Sequence, residues 1–380
     1  MSTYQMQLNG SPVDSGFYDQ LAALQVEENA DLPGAISFTL PIAASSGDLT
    51  WVGDNTIGPF ANVSVVVTPD GGGATQCVFD GYVLSQKIHL QPGITASTVE
   101  VWGQDASVLM SIEDQAREWS GMTDGEVANQ IFSNYGFEQG SDNTNDDSPA
   151  HTEDGHTLMQ RASDWEFLRR LARRSGKWCR VTCDGQPGQR TGIFAAPDLQ
   201  GSPVATIDLN DPEQRSVNSL DFHWDVNRPS SVTARQASLT DSDPDGTDAS
   251  TSDSGLAPLD SQDLATFAGK DVSVILTATG DEAELPAMAQ AVLRDAGWFS
   301  RAEGSADLAV LKTVLRVGTV VAIQGVGNLL SGPYLVWSVR HTITTQNHSM
   351  DFVLVRNALG PAPSGGAASA LSGAASLPSL

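Results

Sequence analysis

The run HTEDGH sets His151 and His156 around Glu153 and Asp154, four side chains of the kinds that bind transition metals. Their spacing is not the helical His-x-x-x-His of zinc proteases, and Gly155 interrupts any helix there. The run therefore reads as a solvated loop, with no metal site. Cys179 and Cys183 fall in a strand-like stretch, Lys177 to Asp184, where residues four apart lie too far from each other to bridge. Cys77 completes an odd and sparse set, which argues against a disulfide scaffold and for reduced, buried or half-buried thiols. His341 and His348 bracket a hairpin-like loop. The acidic pairs Glu27–Glu28 and Asp146–Asp147 read as solvated charges on loops or strand edges. No Gly-x-Ser-x-Gly elbow, Cys–His arrangement or phosphate-cradling loop is present. The expectation is a protein with no catalytic residue, no cofactor and no metal.

Arginine offers a stronger pattern. Arg161, Arg169, Arg170, Arg173 and Arg174 gather positive charge on one segment of a chain whose net charge is −26. Two readings stand side by side: a solvated helix face paired with the chain's own carboxylates, each pair worth little, or a seam with a neighbouring subunit. The acidity argues against binding of nucleic acid or an anionic membrane. Lysine is nearly absent (Lys87, Lys177, Lys270, Lys312). A salt-adapted or GC-rich source, with acidic residues spread over solvated surfaces, explains this more simply than an acidic channel wall. No run of apolar residues is long enough to span a membrane, and Met1 to Asn9 lacks the pattern of a signal peptide.

The elements that must position these residues are mostly strands. Ile36, Phe38 and Leu40 alternate cleanly in Ala35 to Pro41, and NVSVVVT (62–68), QCVFDGYV (76–83) and STVEVW (97–102) follow between Gly/Pro turns. Helical periodicity takes over after Gln104. Asp124 to Tyr135 begins at a Thr123 or Asp124 cap and ends at Gly136. Thr157 to Arg174 reads as one long helix stopped by Gly176, and Leu285 to Trp298 as another, with Glu284 or Asp281 near its start. Ser238 to Gln262 has the composition of a mobile loop, and the uncharged stretch 361–380 that of a flexible tail.

The fold expected is α+β, mainly β: a first β-barrel unit over 1–103, an α+β insertion over 104–200, and a second β-barrel unit from 201–235 with 309–357. An acidic loop and helix fill 236–308, and a low-complexity tail fills 358–380. FDGYVL (79–84) and LSGPYLV (330–336) hint at an internal duplication.

Two blocks carry a family resemblance. QRASDWEFLRRLARRSGKWCRV (160–181), preceded by DGEVANQIFSNYG (124–136), resembles the shared block of phage late-control proteins and of the hub part of valine–glycine-repeat spike proteins. The matching positions include Gln160, Asp164, Trp165, Phe167, Leu168 and Gly176. LKTVLRVGTVVAIQGVGNLLSGPYLVWSVRHTITTQNHSMDFVLVRN (311–357) is similar to the closing β unit of those hubs, through Gly318, Gly325, Gly332, Tyr334, His341 and Arg356. The resemblance implies structural roles for these residues. It also implies a homotrimeric hub at the tip of a contractile tail or injection device, adapting a hexameric inner tube to a trimeric spike. The implied partners are further copies of the chain, an inner tube protein, baseplate wedge components and a spike on a separate polypeptide, since no spike module follows Arg356. Assembly in the cytoplasm and residence in the tail particle, within the cell or released from it, would follow. A tail-tip hydrolase or carbohydrate-binding module is the alternative from another class.

Overall fold

The structure, a computed structural model, describes residues 3–45, 48–53, 55–70, 73–92, 96–145, 148–152, 157–210, 216–236, 247–277, 282–344 and 346–360. Six strands build the first unit, β1 (Thr3–Leu8), β2 (Ala23–Asn29), β3 (Ala35–Pro41), β4 (Asn62–Thr68), β5 (Gln76–His89) and β6 (Thr98–Asp105); β1, β2, β3 and β6 alternate buried and exposed side chains, whereas β4 and the start of β5 are buried on both faces. Ile36, Phe38 and Leu40 all face the core, as their period of two predicts. Laterally the strands run β2-β3-β6-β5-β4-β1.

The insertion follows with β7 (Asp114–Trp119), α1 (Asp124–Asn134), β8 (Leu158–Ser163), α2 (Asp164–Arg174), β9 (Trp178–Thr182) and β10 (Thr191–Ala195). Thr123 and Glu126 close a capping box on α1, and Gly136 follows its end with φ +71°. One expectation fails here. The segment 157–174 is not one helix: its first part is β8, antiparallel to β7. The cause lies in the pattern, because Leu158, Gln160 and Ala162 are buried while Met159 and Arg161 are exposed. Ser163 then caps α2, accepting from the Glu166 amide.

After β11 (Thr206–Asp208) and β12 (Ser219–Trp224) the chain leaves the main sheet for β13 (Ser231–Gln236), β14 (Ser273–Thr277) and α3 (Leu285–Ala296). It returns as β15 (Ser300–Asp307), β16 (Val320–Gln324), β17 (Gly332–Ile343) and β18 (His348–Arg356). The strands distribute differently from the sequence boundaries. β13 pairs with β14 beneath α3, outside the second unit, and β15 lies between β12 and β18, inside it. Only the small Ser300, Ala302 and Ala306 mark the inward face of β15, so its apolar alternation is faint. The expected mobile loop is also corrected where it can be seen. Thr247–Asp248 pairs with β13, and Leu259 and Asp260 are buried. Residues 238–246 and the tail 361–380 lie outside the described residues.

The second unit runs β12-β15-β18-β17-β16-β11. Numbering each unit's strands in chain order gives the same lateral permutation, second, third, sixth, fifth, fourth, first, in both. The register adds detail. β5 is irregular between Val83 and Ser85 and β17 between Val336 and Ser338, so the fifth strand of each unit is bulged. One pairing differs: β1 is antiparallel to β4, whereas β11 is parallel to β16. The units fuse where β17 pairs with β2, Ser338 opposite Asn29 through Ile343 opposite Leu24. The result is one thirteen-stranded sheet with a core continuous from Met6 to Val355.

Candidate functional site

Three buried ionic knots hold the units together. The first sits at the β2–β17 junction. Glu28, expected to be solvated, is instead buried and receives two bonds from Arg316, from Nε at 2.7 Å and from an Nη at 2.6 Å, and one from the Val317 amide at 3.1 Å. Burial alone would raise the Glu28 pKa, but the Arg316 guanidinium outweighs it and holds the carboxyl below its usual range. Arg316 also donates to the Cys183 carbonyl, and Arg180 of β9 to the Val317 carbonyl, so the insertion is bound into the same knot. Nearby, half-buried Asp105 accepts from the Gly34 amide and from Ser107; burial, opposed by those bonds, pushes its carboxyl up to about 6.

The second knot joins three helix ends. Asp124 in the first turn of α1 accepts from His151 at 2.8 Å and from Arg174 at 3.0 Å, and Arg174 reaches on to Glu284 at the start of α3 at 2.9 Å. His151 is thus a buried structural partner rather than part of a solvated loop; Glu153, Asp154, Gly155 and His156 lie outside the described residues. The third knot surrounds Arg356, fully buried at the end of β18. It pairs with Asp260, donates to the Ser331 and Gly360 carbonyls, and lies over the Tyr334 ring. The Gly332 backbone, at φ +137°, passes so close that a Cβ there would meet the guanidinium, so a side chain at this position would strain the backbone and push Arg356 off its partners.

The remaining motif residues take structural positions. Gln160 accepts from the Trp119 indole at 3.0 Å and donates to Asp164 at 2.6 Å, and Asp164 accepts from the Tyr135 hydroxyl. Trp165, Phe167 and Leu168 fill the insertion core. Gly176 turns the chain against α3, and Gly318 and Gly325 flank β16. His341 is buried against His348, with ring nitrogens 3.0 Å apart; burial and the second ring lower His341 to about 3, and burial lowers His348 to about 4.

The five arginines do not share a face. Arg174 belongs to the second knot, Arg169 donates to the Asp31 carbonyl, and Arg170 approaches Glu166. Arg161 lies on β8 rather than on the helix, and Arg161, Arg170 and Arg173 are exposed. All three cysteines are buried and free. Asp146 and Asp147 lie outside the described residues. Among the described residues no group of three or more His, Cys, Asp or Glu is placed to hold a metal, and no helix is long and apolar enough to cross a membrane. Sequence reasoning missed all three knots. For the first and third knots the available signal was an arginine inside an apolar run, as in WCRVT, VLRVG and VLVRN, where burial demands a partner; Arg174 of the second knot stands in a charged helix end and carries no such signal. What the arrangement can do is mechanical: it clamps two β units and an insertion into one body.

The fold is one seen in phage-tail and secretion proteins. A tail protein from Neisseria meningitidis superimposes with a TM-score of 0.63 at 15% identity, covering 94% of this chain and 97% of that one. A 43 kDa tail protein of prophage MuSo2 from Shewanella oneidensis matches at 0.60 and 13% identity over 94% and 100%. An E. coli component of the type VI secretion system, described as structurally similar to the T4 tail proteins gp27 and gp5, matches at 0.52 and 12% over 94% and 79%. Residues 3–345 match the family model described as the Alg8 N-terminal domain, and the chain belongs to that family. No curated protein matches the sequence.

Proposed function

We propose that the chain is a structural hub of a contractile tail or injection device, a homotrimer adapting a hexameric inner tube to a trimeric spike. The observation that carries this is the strand permutation repeated in the two fused units. Three such chains present six nearly equivalent β units, which suits a sixfold tube on one side, while the single insertion per chain leaves threefold symmetry on the other. The likeness of fold to tail proteins supports the same reading. The buried knots fit a part that carries load rather than turns over substrate, and no enzymatic role is proposed. The partners proposed are the inner tube, a spike and the baseplate wedges, and the place of action is the tail particle. Light scattering after size exclusion, alone and with tube and spike partners co-expressed, tests it. A trimer that binds both is expected; a chain that stays monomeric in their presence, or that turns over peptidoglycan, overturns it.

A further inference from the structure

The duplication makes a specific demand on the two strand edges left open. Within one chain, β2, the second strand of the first unit, pairs with the far half of β17, the fifth strand of the second unit. By the shared permutation, the second strand of the second unit is β12, and the fifth strand of the first unit is β5. Both have an unfilled edge in the matching place. β12 ends the sheet, with β15 on one side only. β4 leaves β5 after Tyr82, so among the described residues Ser85 to His89 pair with β6 alone.

We propose that β12 of one copy pairs antiparallel with the far half of β5 of the next, repeating between chains the β2–β17 junction made within each. This rests on the hub reading above. The register follows from the shared ladders. Trp102 and Val353 stand opposite Ser85 and Ser338, and stepping outward through Ser37 and Glu303 aligns Gln25 with Asp221. Transferring the β2–β17 register then sets Gln86 opposite Trp224, Ile88 opposite Phe222 and His89 opposite Asp221, with Leu90 opposite Leu220 beyond the strand end.

The chemistry of that register is complementary. Ile88, Leu90 and Trp224 are 41%, 55% and 49% exposed in the single chain, and all three fall on one face of the proposed pairing, where cross-strand apolar contacts stabilise a sheet. On the other face Lys87 comes within diagonal reach of Asp221 and Asp225, in a chain with four lysines in all. Both edges lack the prolines or bulges that usually protect an open strand over the residues to be paired. The contact is head-to-tail, so it propagates until it closes into a ring.

Paired cysteines test the register in the full chain. His89→Cys with Asp221→Cys should link chains covalently on mild oxidation, up to closed trimers, whereas Ser85→Cys with Ser219→Cys, at opposite ends of the pairing, should not. The native thiols are buried and leave the readout clear. Ile88→Lys, at an exposed position, should weaken association tenfold or more by light scattering while leaving monomer Tm unchanged. An oligomer that fails to cross-link at the matched pair, or links equally at the mismatched one, overturns the pairing and leaves the hub reading standing. A chain that is monomeric beside its tube and spike partners overturns both.

Discussion

Glu28 and Arg316 decide at the scale of single residues what holds the two β units to the insertion. Both are nearly buried, so removing either leaves a charge uncompensated in a poorly solvated place. Arg316→Ala is expected to cost about 3–5 kcal/mol in urea unfolding; a loss below about 1 kcal/mol, the range of exposed pairs, would show that the knot is better hydrated than its geometry implies. Asp105 behaves in the opposite way. Its folded pKa, about 6, lies above the usual 3.8, so its contribution is fully present below that lower value and is lost as pH rises through 6. Asp105→Asn should therefore raise stability by about 1–2 kcal/mol near pH 7.5, and the gain should vanish near pH 4. The histidine pair titrates with the other sign. His341 and His348 are depressed from 6.5 to about 3 and about 4, so the stability they contribute is intact above 6.5 and is lost as pH falls through those values. In Asp105→Asn, where the opposing carboxyl is gone, Tm should fall monotonically from pH 7 toward 4; a flat profile would mean that the rings are not held neutral. The histidine pair is half legible, since His341 and His348 bracket one hairpin loop, but the Glu28–Arg316 pair is not, because the two lie in different units and only folding brings them together.

At the scale of elements, legibility followed how local the signal was. β3 and α1 could be read because alternation in the one and a Thr-x-x-Glu cap in the other are complete within a few residues. β8 and α2 merge into one apparent helix in the sequence because the apolar residues of 158–171 fit a helical stripe loosely, and the strand period of 158–162 is overridden unless Ser163 is recognised as a cap. β15 is hard to read as a strand because its buried side chains are only Ser300, Ala302 and Ala306, and one of its two partners, β12, lies far back in the chain. Gly176 shows how two elements fix one residue. Its φ is +64°, and a Cβ would meet the Ala291 Cα at 2.8 Å and Arg294 Cδ at 2.9 Å, so α2 and α3 approach through it. Gly176→Ala should destabilise by about 2–4 kcal/mol, combining left-handed strain with overpacking. A change within about 0.5 kcal/mol would mean that α3 moves aside freely.

The whole molecule carries −26 charges, and its strongest ion pairs are interior, so surface repulsion and buried attraction should respond differently to salt. Screening shortens from ~10 Å at about 0.1 M to ~3 Å at about 1 M. It reaches the exposed carboxylates and leaves the buried knots nearly untouched. Sodium chloride should therefore raise Tm by several degrees between those concentrations, since self-repulsion destabilises a highly charged compact state. The proposed assembly should respond more steeply than folding, because joining three chains of the same charge would multiply the repulsion while the proposed β5–β12 contact would contribute mainly apolar area and backbone hydrogen bonds. If the proposed trimer forms, its fraction at fixed protein concentration should rise with salt, and Ile88→Lys should remain dissociated even at about 1 M, where screening is nearly complete. If salt rescued that variant to the wild-type level, repulsion alone would govern assembly and the apolar face of the open edges would have no part in it.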